Sequence, residues 1–305
     1  MVFPLISPNG ALFLLPEATY YRTLFISDCH LGLKGVQSDK LLAFLQSHDA
    51  EKIYLVGDII DHWCKGKKWH WTETEDLIIQ NLISKANKGT QIYYIPGNHD
   101  EAFRDWCSTK IHGIEIINQA EHTTADGRNL WIIHGDEFDL FIKNHRWLCH
   151  LGHFSIQLLM KINRPIAWTR RLLKLPQWSL ATAARRAMQR NSRTFKNYVN
   201  TVTREAARLG YDGVVCGHIH KAEFRVKNGV EYWNDGDWLE SCTAIAEAMD
   251  GTMEILEYSP KISTISLLRE RAKQNAINQP SLKTEFSLDI NELEASNGFV
   301  AEVTV

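Results

Sequence analysis

The chain has 305 residues, 44% of them hydrophobic and 23% charged, with 34 Lys and Arg against 36 Asp and Glu. This is globular material with enough length for a substantial core. Six cysteines (Cys29, Cys64, Cys107, Cys149, Cys216 and Cys242) are scattered with no CxxC pair, which excludes a disulfide framework or a zinc knuckle and fits a reducing compartment.

In chain order, the first 21 residues are apolar but broken by three prolines and a glycine, and they lack a basic start. They read as an N-terminal extension rather than a signal peptide, and no run reaches the length of a membrane span, so a cytoplasmic protein is expected. "RTLFIS" (22–27) predicts a strand, "DKLLAFLQSH" (39–48) a helix and "KIYLVG" (52–57) a strand. "TETEDLIIQNLISKANKG" (72–89) predicts a helix with an acidic first turn and a closing glycine. Further strands are expected at "QIYYIP" (91–96), "NLWIIHG" (129–135) and "DGVVCG" (212–217), and hairpins around Asn228-Gly229 and Asp250-Gly251. Strands that alternate with helices and finish in hairpins predict a layered α/β domain with a mixed sheet over residues 22–268. Residues 269–305 read as a polar tail.

The polar residues fall in a pattern along these elements. Asp28 and His30 follow the first strand, Asp58 and Asp61 the second, and Asn98 and His99 the third. His134 closes the fourth, and His218 and His220 the fifth. Each cluster stands at the carboxyl end of a strand, where open α/β sheets place their ligands. The i, i+2 spacing of Asp28/His30 and of His218/His220 predicts extended segments that turn both side chains of a pair one way. A surface turn explains "PGNHDE" taken alone. Five such clusters on strand ends read together as a metal site.

The series D-x-H, G-D-x-x-D, G-N-H-D, H-G-D and G-H-x-H, spread over roughly residues 24–220, resembles the signature of calcineurin-like metallophosphoesterases. The resemblance implies a two-sheet sandwich flanked by helices. It also implies two divalent cations, one held by Asp28, His30, Asp58 and His220, the other by Asp58 as a bridge with Asn98, His134 and His218. His99 is implied as the catalytic histidine outside the ligand set, with Asp61 orienting it. Mixed carboxylate, imidazole and amide-oxygen donors suit Mn, with Fe and Zn as alternatives. Asp100 and Glu101 either support the ligands or cap a helix, and Asp136 and Asp139 either orient His134 or do the same. Trp63, Trp69 and Trp71 read as partly buried packing, and Cys29 and Cys216 as core.

From Lys143 to Arg204 there are 13 Lys and Arg and no Asp or Glu, so the rest of the chain holds 21 of the 34 basic residues and all 36 acidic ones. The stretch is apolar and basic at helical spacing, and predicts a helical insertion over 138–209 beside the metal edge. It fits a cap lying on an anionic membrane surface, with Arg185, Arg186, Arg190 and Arg193 as head-group or substrate contacts. Nucleic-acid contact fits less well, because the basic residues alternate with long aliphatics and no aromatic platform accompanies them. A solvated hairpin that shields the site is the plain alternative. An insertion of this kind between H-G-D and G-H-x-H resembles the UDP-2,3-diacylglucosamine diphosphatase group, peripheral membrane enzymes that act on a lipid-linked nucleotide. The chain departs from that group at His99, where the diphosphatases usually carry Arg and generic phosphoesterases carry His. "YWNDGDWLESCTA" (232–244) also resembles the group, and the resemblance implies a loop that closes over the site.

Overall fold

Strand β3 (Thr19–Ile26) shows how the layers arise: Leu24 and Ile26 face one apolar layer, Phe25 faces another, and all three are buried. A strand apolar on both faces belongs at the centre of a sheet covered on both sides. The computed structural model describes residues 4–6, 12–14, 18–63, 69–138, 193–260 and Lys273. Two short strands, β1 (Pro4–Ile6) and β2 (Leu12–Leu14), pair antiparallel before it.

Next to β3 run β4 (His48–Val56), β5 (Gln91–Ile95) and β7 (Ile114–Ile116), each parallel to its neighbour. The antiparallel strands β6 (Thr109–Ile111), β13 (Thr243–Glu247) and β14 (Met253–Glu257) complete a seven-stranded sheet of order β14-β13-β3-β4-β5-β7-β6. The second sheet has five strands in the order β11-β12-β10-β9-β8. Its parallel centre is β9 (Asn129–Ile132), β10 (Gly213–Cys216) and β12 (Val230–Asn234), and its antiparallel edges are β8 (Ala120–Thr123) and β11 (Glu223–Lys227).

Phe25, Tyr54, Val56 and Ile95 of the first sheet meet Leu130, Ile132, Val215 and Trp233 of the second. Helices α1 (Ser38–Ser47) and α2 (Glu73–Asn87) cover the other face of the first sheet through Leu41, Phe44, Leu45, Ile78 and Leu82. Helix α3 (Arg193–Leu209) covers the second through Tyr198, Val199, Val202 and Ala206. The result is the two-sheet sandwich flanked by helices, with the predicted strands, the helices expected at 39–48 and 72–89 and both hairpins in place. The short strands β6, β7 and β8 had no clear sequence signal, since "TKI", "IEI" and "AEHT" are too brief and too polar to show a period.

Cys29 and Cys216 are buried in core layers, as read from the sequence. Residues 139–192 of the expected insertion lie outside the described residues, and with them Arg185, Arg186, Arg190 and Asp139. Arg193 opens α3, but its side chain is outside them too. Among the described residues no helix is long and apolar enough to cross a membrane.

Candidate metal centre

Five of the predicted ligands stand on backbone that side chains avoid. Asp28, His30, Asp58, His218 and His220 have φ of 50°, 49°, 54°, 69° and 51°. Each such residue costs about 1 kcal/mol or more, and such strain gathers where surrounding structure holds a functional geometry. The expectation of extended segments is therefore corrected. Beyond β3 the ladder continues, with Asp28 N–H donating to Gly57 O at 3.0 Å and His30 N–H to Asp58 O at 2.9 Å, but through left-handed residues. It is this twist, rather than the two-residue alternation, that turns Asp28 and His30 inward.

Glycines give the ligands room. A Cβ on Gly57 would collide with the His134 ring, one on Gly97 with Asp58, and one on Gly217 with Ser27 and Asp28. The side chains then converge in two groups. In the first, Asp28 Oδ1 lies 3.0 Å from His220 Nε2 and 3.6 Å from His30 Nε2, and the two Nε2 atoms are 3.3 Å apart. In the second, His134 Nε2 lies 3.4 Å from Asp58 Oδ2, and His218 Nδ1 lies 3.1 Å from Asn98 Oδ1, with the His134 and His218 rings 5.3 Å apart. Asp58 Oδ2 is also 3.9 Å from His30 Nε2, so one oxygen faces both groups, while Oδ1 accepts the His99 N–H at 2.7 Å.

Back-side hydrogen bonds set which nitrogen points inward. His134 Nδ1–H donates to Val56 O at 2.8 Å, and His30 Nδ1 lies 3.3 Å from Asp61 Oδ2, so each ring turns Nε2 to the centre. Asp28 Oδ1 and His134 Nε2 are buried and make no hydrogen bond within the protein. Burial alone would raise the Asp28, Asp58 and Asp61 carboxyls, but the neighbouring imidazoles hold all three well below the usual carboxylate range. Burial would likewise lower His30, yet the carboxylates of Asp28 and Asp61 beside it raise it to about 10. Acceptor atoms that converge unsatisfied in a buried, strongly polar site, from carboxylate, imidazole and amide donors, fit divalent cations.

The profile of the calcineurin-like phosphoesterase family matches residues 21–222, two thirds of the chain and every one of these clusters. The chain belongs to that family. It is a metal-dependent phosphoesterase, a hydrolase. A protein of Aromatoleum aromaticum named UDP-2,3-diacylglucosamine hydrolase is 22% identical over 248 residues, 79% of this chain and 99% of its own length. A protein of the same name from Neisseria gonorrhoeae is 25% identical over 227 residues, 70% of this chain and 88% of its own. Among solved structures, a novel archaeal phosphodiesterase aligns over 77% of this chain and 98% of its own, at 14% identity and a TM-score of 0.38.

Around the phosphoesterase centre, several residues take roles that sequence reasoning left open or missed. Asp100 is fully buried and accepts N–H groups from Gly97 at 2.6 Å, Ile59 at 2.8 Å and Asp58 at 3.3 Å, as well as the Tyr94 hydroxyl. It supports the ligand loops and does not use its side chain as a helix cap. Glu101 opens a short 3-10 helix, Glu101–Trp106. Asp136 neither orients His134 nor stands alone: it takes Arg104 Nη2 at 2.8 Å, joining the loops after β5 and β9. Trp69 and Trp71 stack at 5.5 Å against the core, as expected, whereas Trp63 lies flat on His99 with ring centroids 3.9 Å apart. The His99 Nδ1 atom is 3.2 Å from Asp61 Oδ2. The loop after β12, which the resemblance placed over the site, is instead buried behind the ligands. Asn234 Nδ2 donates to Gly217 O at 2.6 Å, Asp237 Oδ2 sits 3.6 Å from His220 Nδ1, and Trp238 N–H donates to Asp28 O at 3.1 Å.

Proposed function

We propose that this chain hydrolyses the pyrophosphate of a lipid-linked nucleotide, UDP-2,3-diacylglucosamine, releasing 2,3-diacylglucosamine 1-phosphate and UMP. Asp28, His30, Asp58 and His220 hold one divalent cation, manganese by preference, and Asp58, Asn98, His134 and His218 hold the second. When bound, such a pair supplies Lewis acidity to a phosphoryl group and its attacking water. The chain's own residues do the rest. Asp61 engages His99 Nδ1 and Trp63 lies against the ring, so the imidazole is fixed in one orientation. From that position Nε2 donates a proton to the leaving oxygen.

The observation that carries the hydrolase chemistry is the left-handed backbone at five converging donors, a strain that the surrounding structure holds in place. The substrate reading is supported by the names of relatives that this chain matches over 99% and 88% of their length. It is further supported by the 13 basic and no acidic residues between Lys143 and Arg204, a composition suited to an anionic membrane surface on the cytoplasmic side. One observation favours a second reading. His99 stands where the lipid diphosphatases usually carry Arg, which fits a soluble nucleotide phosphodiesterase or nuclease.

Phosphorus NMR separates the two. Purified protein with Mn²⁺ is given detergent-dispersed UDP-2,3-diacylglucosamine, UDP-glucose and an aryl phosphodiester in parallel. Release of UMP from the lipid alone, lost in His99→Ala, is the expected result. Cleavage of the aryl diester with the lipid untouched would leave the hydrolase and remove the lipid substrate.

A further inference from the structure

Behind Asp28 a single hydroxyl lies between two carboxyl groups. Ser27 Oγ is 2.6 Å from Asp28 Oδ2 and 2.5 Å from Asp235 Oδ1, and all three residues are buried. A serine hydroxyl has one hydrogen to give and can accept others. If both carboxyls were ionised, one of these short contacts would set two oxygens against each other with no proton between them. One carboxyl therefore carries the second hydrogen.

The surroundings say which. Asp28 Oδ2 also accepts the His218 N–H at 2.8 Å, and a carboxylate that holds a cation through Oδ1 is deprotonated, so Asp28 is the anion of the pair. Asp235 Oδ2 is buried with no hydrogen-bond partner, a position a carbonyl oxygen tolerates better than a carboxylate oxygen does. Burial, then the charge of Asp28, pushes the Asp235 carboxyl well above the usual range. The chain of donation then runs one way, from Asp235 O–H to Ser27 Oγ and from Ser27 O–H to Asp28 Oδ2.

We propose that Asp235 is a positioning residue of the metal centre that acts through Ser27, fixing the direction of the Ser27 hydroxyl so that Asp28 is held by Oδ2 and turns Oδ1 to the cation. The proposal rests on the reading of Asp28 as a ligand. Partners behind metal ligands commonly carry a 10–100-fold share of metal affinity.

The test is manganese titration by calorimetry on chelator-treated, full-length protein. Asp235→Ala and Ser27→Ala are each expected to weaken one binding event about tenfold, and the double variant no more than either alone, since both break one chain. Asp235→Asn, whose carboxamide N–H donates to Ser27 as the acid does, is expected to stay within about threefold of the parent. Should Asp235→Ala fail to fold, Ser27→Ala, which removes one oxygen, carries the same test. Parental affinity in Ser27→Ala, or an Asp235→Asn variant as weak as Ser27→Ala, overturns the proposal. Asp28→Ala separates the two levels. If it binds manganese as the parent does, the ligand reading fails and the proposal with it. If it loses an event that Ser27→Ala keeps, the proposal alone fails.

Discussion

A single oxygen, Asp61 Oδ2, lies 3.3 Å from His30 Nδ1 and 3.2 Å from His99 Nδ1. One carboxylate thus stands behind both the His30 ring, a proposed ligand, and the His99 ring, proposed to face substrate, and the two rings meet edge to face at 4.6 Å. Substitution should separate these duties. His99→Ala is expected to lower kcat by about 10²–10⁴, the share of a general acid, while leaving manganese affinity and KM near the parent values. Asp61→Ala is expected to lower kcat and manganese affinity together, because His30 loses its orienting partner as well. Steady-state kinetics beside calorimetry reads both. A His99→Ala variant that loses metal would make His99 a ligand, since His30, Asp58 and His99 do lie close enough to share an ion. Trp63 acts on the same ring, and its loss should lower kcat more than it raises KM, with Phe restoring most of the effect through the same stack.

At the scale of the elements, Asp100 ties the turn after β4 to the turn after β5. The groups it accepts are all N–H and O–H donors, from Gly97, Asp58, Ile59, Ile60 and Tyr94. Asp100→Asn would turn an amide N–H toward those donors and is expected to cost about 2–4 kcal/mol in urea unfolding, against about 1 kcal/mol for Tyr94→Phe, which removes one donor among several. A small loss in Asp100→Asn would mean the loops hold without it. The sequence revealed this region unevenly. The strands were legible because they are apolar on both faces, and the candidate ligands because each follows a strand. The left-handed turns at Asp28, His30 and Asp58 were not legible, since non-glycine residues rarely adopt them and D-x-H looks extended on paper. Asp235 and Asp237 were hidden for another reason. N-D-G-D after a hairpin reads as an exposed turn, and only the second sheet's placement beside Asp28 buries it.

At the scale of the whole molecule, the two sheets are joined away from the metal edge by a buried polar knot. Glu247 on β13 and Thr23 on β3 belong to the first sheet, and His122 on β8 belongs to the second. Glu247 Oε2 takes His122 Nε2–H at 2.7 Å and Thr23 O–H at 2.7 Å, while Oε1 takes Arg22 Nη1 at 2.6 Å and Ala125 N–H at 2.8 Å. Burial alone would raise this carboxyl, but His122, Thr23 and the Ala125 N–H win and hold it at about 2. Its folded value is therefore depressed, so its contribution is complete above the unfolded value near 4.5 and is lost as pH falls toward 2. The shift corresponds to on the order of 3 kcal/mol at neutral pH. Glu247→Gln is expected to be less stable than the parent by roughly that amount at pH 7, and the gap should close between about pH 4.5 and pH 2. Comparing the two proteins in metal-free urea unfolding cancels the titration of the metal-site carboxylates, which both carry. A gap that stays constant with pH would mean that Glu247 joins the sheets by packing and hydrogen bonds alone, with no share of its stability coming from the charge.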